Sequence, residues 1–169
     1  IIIGFIHKDK TSESMAKTLD NLENKLGHDL YRELFLLILT DRGVEFEKVD
    51  LFEFNQETGE FRTNIFYCDA YQSSQKPHVE NTHNYIRDII PNEIDISNIT
   101  QDDLDLMFSH INSTPRKSLK DKTPYEVFNF MMSTSYNPQR GKEILDLLNI
   151  KEIKRDEVTL KPYLLKHNK

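Results

Sequence analysis

Residues 34–39 form an unbroken apolar run, Leu-Phe-Leu-Leu-Ile-Leu, followed at once by Thr40, Asp41, Arg42 and Gly43. Because residues 36–40 are not polar at alternate positions, they predict a strand buried on both faces, as in the middle of a sheet covered by helices. Six apolar residues are far fewer than the roughly 20 needed to span a bilayer. The opening residues do not read as a charged-then-apolar leader. The expectation is therefore a cytoplasmic α/β protein with no membrane partner. Asp41 would stand at a strand's carboxyl end, where functional residues of open α/β sheets gather.

The segments on either side support an α/β reading. Residues 1–6 are apolar and predict a buried strand. Thr11 or Ser12 can cap a helix in which Met15, Leu19, Leu22 and Leu26 share one face, with Gly27 as its stop. Leu30, Tyr31, Leu34 and Phe35 form a shorter amphipathic stretch leading into the strand. Residues 61–68 predict a second strand, and Pro77 suits the first turn of the helix that follows. Further on, Thr100 caps a helix whose apolar face is Leu104, Met107, Phe108 and Ile111. Thr123-Pro124 opens another, in which Tyr125, Val127, Phe128 and Met131 would close the core. Beyond Met132 a polar linker leads to a small helix at 141–148 and a lysine-rich tail containing Lys151, Lys154, Arg155, Lys161 and Lys166. That tail could touch DNA or a second subunit, or could be an idle extension.

The chain is 37% hydrophobic and 30% charged, with few glycines and prolines, as expected of a folded globular protein. Its one cysteine, Cys68, cannot form an intrachain disulfide and reads as a small buried hydrophobe. A net charge of −6 opposes general nucleic-acid affinity, which comes mainly from Lys and Arg neutralising phosphates. Any such affinity would reside elsewhere or in local patches, of which Arg116, Lys117, Lys120 and Lys122 make the clearest basic one. A DNA-backbone role is the preferred reading of those cations, narrowly ahead of a solvated loop.

Chemistry is suggested by two segments, LTDRGVEF at 39–46 and QKPHVENTHNYIR at 75–87, which set Asp41 and Glu80 apart by 38 intervening residues. Mg²⁺ takes hard oxygen ligands, usually one or two carboxylates besides phosphate and water. An aspartate closing a strand and a glutamate opening a helix could supply them. Taken alone, Asp41 and Gly43 are ordinary turn residues. On a helix, Glu80, His83, Asn84 and Arg87 line one polar stripe while Val79, Ile86, Ile89 and Ile90 turn inward. That stripe could equally be a solvated face with modest charge pairing. His83 could be a ligand or base, though a plain polar face residue is the simpler account.

LTDRGVEF, the stretch FYCDAYQSSQKPHVEN at 66–81 and HINSTPRKSLKDKTPYEVF at 110–128 together resemble the catalytic core of bacterial insertion-sequence transposases of the IS-thirty type. That family is similar to retroviral integrases, and the resemblance covers about residues 1–130 in unbroken order. It implies a ribonuclease-H-like fold, a mixed sheet flanked by helices, whose Asp-Asp-Glu triad holds two Mg²⁺ (or Mn²⁺) ions. It also implies DNA strand cleavage followed by strand transfer, on element ends and target DNA, by a homo-oligomer.

Under that resemblance Asp41 matches the second aspartate and would bridge the metals, Glu80 matches the glutamate and would bind one of them, and Arg87 would contact phosphate. Lys76 and Asn81, beside Glu80, join the basic patch as DNA-contacting residues. The first aspartate has no counterpart here. In the family it lies upstream of the segment matching 1–6, so the expected core is partial, with its first strand or strands missing, and inactive alone. The expected divisions are 1–132 for the core and 133–169 for a linker and small helical extension. Departures from the family pattern surround Glu80: Ser74 for an aromatic, Pro77 for glycine, Val79 for asparagine, and His83-Asn84 for Asn-Gly. Ala70 replaces the proline after Asp69, which reads as structural support. Two rivals stand beside this reading: an inactive fragment acting as an interaction module, and a ribonuclease-H-like nuclease that cuts without joining.

Overall fold

The structure, a computed structural model, describes residues 1–68, 77–92 and 96–165, and only the backbone of 77–81. The protein is mixed α/β, with seven α-helices and one two-stranded parallel sheet among the described residues. The chain divides into two compact units, one made of His7–Pro77 and the other of Ile1–Ile6 with His78–Lys169.

The His7–Pro77 unit begins with helix α1 (Ser12–Leu26). Thr11 caps it by accepting a hydrogen bond from the Ser14 N–H, and Gly27 ends it at φ 80°, a left-handed conformation that favours glycine. Helix α2 (His28–Leu34) follows, then strand β1 (Leu37–Thr40), a short helix α3 (Val49–Glu53) and strand β2 (Asn64–Tyr67). The strands run parallel with Leu37 opposite Asn64 and Thr40 opposite Tyr67, so α3 lies within the crossover between them. Ile38, Ile65 and Tyr67 pack with Ala16, Leu19 and Phe52 into the core of this unit.

Two expectations change here. Leu37 and Leu39 are 55% and 44% exposed, and Phe66, level with Leu39, is also exposed. One face of the sheet is thus apolar but open. Among the described residues β1 pairs with β2 alone, so the continuous apolar run does not mark a central strand buried on both sides. The second strand is also shorter than residues 61–68. Phe61 forms only an isolated antiparallel bridge with Phe54, and Arg62 and Thr63 are fully buried ahead of β2. Cys68 is free and buried, as its residue type predicts.

In the other unit the Ile1–Ile6 segment is not a strand. Its backbone is satisfied by side-chain amides instead: Asn112 accepts from the Ile2 N–H and donates to the Ile2 carbonyl, and Gln101 donates to the Gly4 carbonyl. Both amides belong to helix α5 (Gln101–Asn112), which a reciprocal box between Thr100 and Asp103 caps. Met107, Phe108 and Ile111 are buried as predicted. Helix α4 (Pro77–Ile89) starts at Pro77 and buries Ile89 completely.

Helix α6 (Pro124–Met132) starts from a second capping box, Thr123 with Glu126. Tyr125 is buried, but Met131 is 73% exposed and does not join the core. Helix α7 (Arg140–Leu147) packs on α6 where Gly141 meets Asn129. The tail is not an idle extension: the Lys151, Ile153 and Thr159 N–H groups donate to Ser109 Oγ, Ser113 Oγ and His110 Nδ1 on and beside α5. Burial holds the His110 imidazole below its ordinary pKa, against the opposing charge of Glu157. An unprotonated Nδ1 is what the Thr159 N–H requires.

Candidate functional site

Asp41 follows β1 directly and is exposed to solvent at its carboxyl end. The next turn contains a single 3₁₀ turn, Val44–Phe46. Tyr67, the last residue of β2, donates its hydroxyl hydrogen to the Phe46 carbonyl and ties that turn to the sheet. Gly43 has φ −67°, which any residue can adopt, so its freedom is not what shapes the turn after Asp41. An exposed carboxylate at the end of a parallel strand is chemically suited to a hard divalent cation.

Glu80 and Asn81 lie on the first turns of α4, and their side chains fall outside the described residues, as do Lys76, Ser74 and Asp69. Val79 is likewise known only through its backbone. The rest of the α4 pattern is as its spacing requires: His83, Asn84 and Arg87 are exposed, and Ile86, Ile89 and Ile90 turn inward. Asp41 belongs to the His7–Pro77 unit and Glu80 to the other. Among the described residues no three His, Cys, Asp or Glu side chains gather as a metal cluster.

The basic patch is a tight turn. Arg116 and Lys122 bridge antiparallel, and Lys120 and Asp121 between them take left-handed conformations at φ 55° and 61°. Lys117, Lys120 and Lys122 are exposed. Arg116 behaves differently. It is half-buried, with its guanidinium carbon 4.5 Å from the centre of the Tyr85 ring on α4. The structure therefore brings the basic turn against the helix that carries Glu80 and Arg87. The Arg155 guanidinium donates to the Asp121 carbonyl, adding a cation from the tail to the same turn.

Over 127 residues, 75% of its length, the chain is 34% identical to the transposase InsI for insertion sequence element IS30A of Escherichia coli K12. It is 32% identical over 97 residues to the transposase for IS4351 of Bacteroides fragilis, covering 57% of this chain and 28% of that protein. It is also 32% identical over 63 residues to the transposase for IS1086 of Cupriavidus metallidurans, 37% of this chain and 19% of that one. The chain belongs to the IS30-type transposases. It spans 30% of the length of the InsI protein it matches. No family model and no solved structure matches it.

The chain holds a second polar assembly that local sequence patterns do not reveal. Arg62 is completely buried and donates through Nε and Nη2 to the Phe52 and Leu51 carbonyls, while Nη1 pairs with Asp20 and, at 3.2 Å, with Glu23. Glu23 is 4% exposed and accepts also from His28 and Asn55. Burial raises the Glu23 pKa, but the hydrogen bonds from His28, Asn55 and Arg62 outweigh it and leave the carboxyl below its ordinary value. In sequence Glu23 is one more charge on an amphipathic helix. The only available signal was its position among α1 residues that face inward.

No helix among the described residues is long and apolar enough to cross a membrane.

Proposed function

We propose that the chain carries part of the DNA strand-cleavage and strand-transfer machinery of an IS30-type transposase, on a ribonuclease-H-like core. The observation that carries this reading is the 34% identity to InsI over 127 residues. The exposed Asp41 carboxylate at the end of a parallel strand supports it. So does the order of β2 followed by the Glu80-bearing helix.

In this reading Asp41 and Glu80 hold divalent metal, Mg²⁺ or Mn²⁺, and both are hard oxygen donors of the type such ions select. Held by these carboxylates, divalent metal would supply activation of the attacking oxygen and stabilisation of the leaving one in phosphoryl transfer. The chain's own cations then position DNA. Arg87, exposed on the same helix as Glu80, offers a planar guanidinium to a backbone phosphate. Lys117, Lys120 and Lys122 offer point charges from a turn closed by the Arg116–Lys122 bridge. Lys76 and Asn81 would add contacts next to Glu80, and Arg116 would act from its seat on Tyr85. Joining two element ends to a target calls for more than one copy on DNA.

The test is an assay of end-cleavage and 3′-hydroxyl joining on labelled element-end DNA, with Mg²⁺ or Mn²⁺, using the full-length protein. Asp41→Asn and Glu80→Gln should each lower both steps by at least about a hundredfold, a loss of some 2.7 kcal/mol of transition-state stabilisation. Unchanged turnover in Asp41→Asn would sink the metal role. Cleavage without joining would point to a nuclease, and DNA binding without cleavage to an interaction module.

A further inference from the structure

A cleft in the Ile1–Ile6 and His78–Lys169 unit has a volume of about 630 Å³ and lies between α4, the basic turn and α6. Its walls include Thr82 and Tyr85 of α4, Arg116 and Lys117 of the turn, and Phe128 and Met131 of α6. Among the described residues no Asp or Glu lines it. In a chain of net charge −6, a cleft whose described lining holds two cations and no carboxylate is set apart electrostatically.

Arg116 gives the cleft its chemistry. The guanidinium is stationed over Tyr85 at 4.5 Å, and one Nη donates a long bond of 3.4 Å to the Ile111 carbonyl. Its Nε is buried and has no hydrogen-bond acceptor among the described residues. The guanidinium as a whole keeps its positive charge at the cleft wall, and an anionic oxygen entering there would gain a charge-assisted interaction, the strong kind. Around it the surface is apolar and aromatic. The matching ligand is planar and apolar at one end and anionic at the other.

We propose that this cleft binds a single unpaired nucleotide of the DNA substrate, with the base entering beside Phe128 and Met131 and the phosphate meeting Arg116 and Lys117. The inference rests on the DNA reading above and narrows it. A duplex cannot enter a space of this volume, whereas such volumes suit small ligands of nucleotide size. Aromatic side chains and arginine planes accept any base by stacking, so the cleft recognises an unpaired end without reading its sequence.

The experiment compares three DNAs with the same duplex body: blunt, bearing one unpaired 3′ nucleotide, and bearing the same overhang as an abasic nucleotide. 2-Aminopurine in the base-bearing overhang reports stacking. The base-bearing overhang should bind about tenfold more tightly than the abasic one, with quenched fluorescence, as a single base–aromatic stack allows. Phe128→Ala should remove most of that preference. The abasic DNA tests the base contribution even if the variant does not fold. Equal affinity of base-bearing and abasic overhangs overturns the proposal and leaves the cleft to a peptide or a second copy of the chain. Duplex binding with no overhang preference overturns the cleft proposal alone, whereas binding to none of the three overturns the DNA reading as well.

Discussion

Arg62 shows no exposed surface, and its guanidinium gathers the Leu51 and Phe52 carbonyls of α3 together with Asp20 and Glu23 of α1. It stands two residues before β2, whose partner β1 is followed directly by Asp41. The arginine therefore ties the segment leading into β2 to α1 and α3. Removing one partner of a buried ion pair leaves the other charged and unpaired, which typically costs about 3–5 kcal/mol. Arg62→Met should lower stability by about that much in chemical unfolding at neutral pH. The sign with pH follows from Glu23. Its folded pKa lies below its ordinary value of 4.5, so its stabilising contribution is complete above that value and is lost as pH falls through the folded pKa. Without Arg62 the burial that raises the pKa remains while a lowering cation is gone. The destabilisation by Arg62→Met should therefore be smaller at pH 3 than at pH 7. An equal penalty at both values would mean that the carboxylate charge is not what the arginine serves.

Among the elements, the contact of α6 with α7 turns on Gly141. A Cβ built there would lie 2.3 Å from the Asn129 carbonyl oxygen and 2.6 Å from its Cα, both backbone atoms that cannot swing away. In an exposed helix Gly→Ala would stabilise by about 1 kcal/mol. Here Gly141→Ala should destabilise instead, because the two helix axes must separate, and thermal unfolding would show the reversed sign. A raised melting temperature would show that the helices part at little cost. Element ends were legible in the sequence because caps are local: Thr11, Gly27, Thr100, Pro77 and Pro124 all stand where their chemistry places them. The strand expected at 1–6 was not legible as what it is. Whether an apolar extended segment joins a ladder depends on what lies beside it, and here Asn112 and Gln101 occupy its backbone groups. The same limit applies to β1, where six apolar residues gave the strand but not the open face at Leu37 and Leu39. In the candidate site, Asp41's place at a strand end could be read from its neighbours in sequence. Arg116 on Tyr85 could not, because that contact joins a turn to a helix far upstream.

For the molecule as a whole, the acidic net charge and the DNA reading impose a condition on any binding that occurs. A protein of charge −6 gains no nonspecific attraction to DNA from its total charge, so the affinity must come from a few cations held in place, and its salt dependence counts them. Each phosphate neutralised on duplex DNA adds about 0.9 to the slope of log affinity against log salt. Lys117, Lys120 and Lys122 are exposed on one turn, with the Arg155 guanidinium bonded to the Asp121 carbonyl between them. Replacing the three lysines with glutamine should weaken binding on every duplex sequence alike and flatten the slope by about 2.7 if all three meet phosphates. Replacing exposed Lys8, Lys10 and Lys25, which lie in the other unit, serves as the control and should leave the slope nearly unchanged. If both triple variants flatten it equally, the contact with DNA is spread over the surface, and the basic turn has no special part in it.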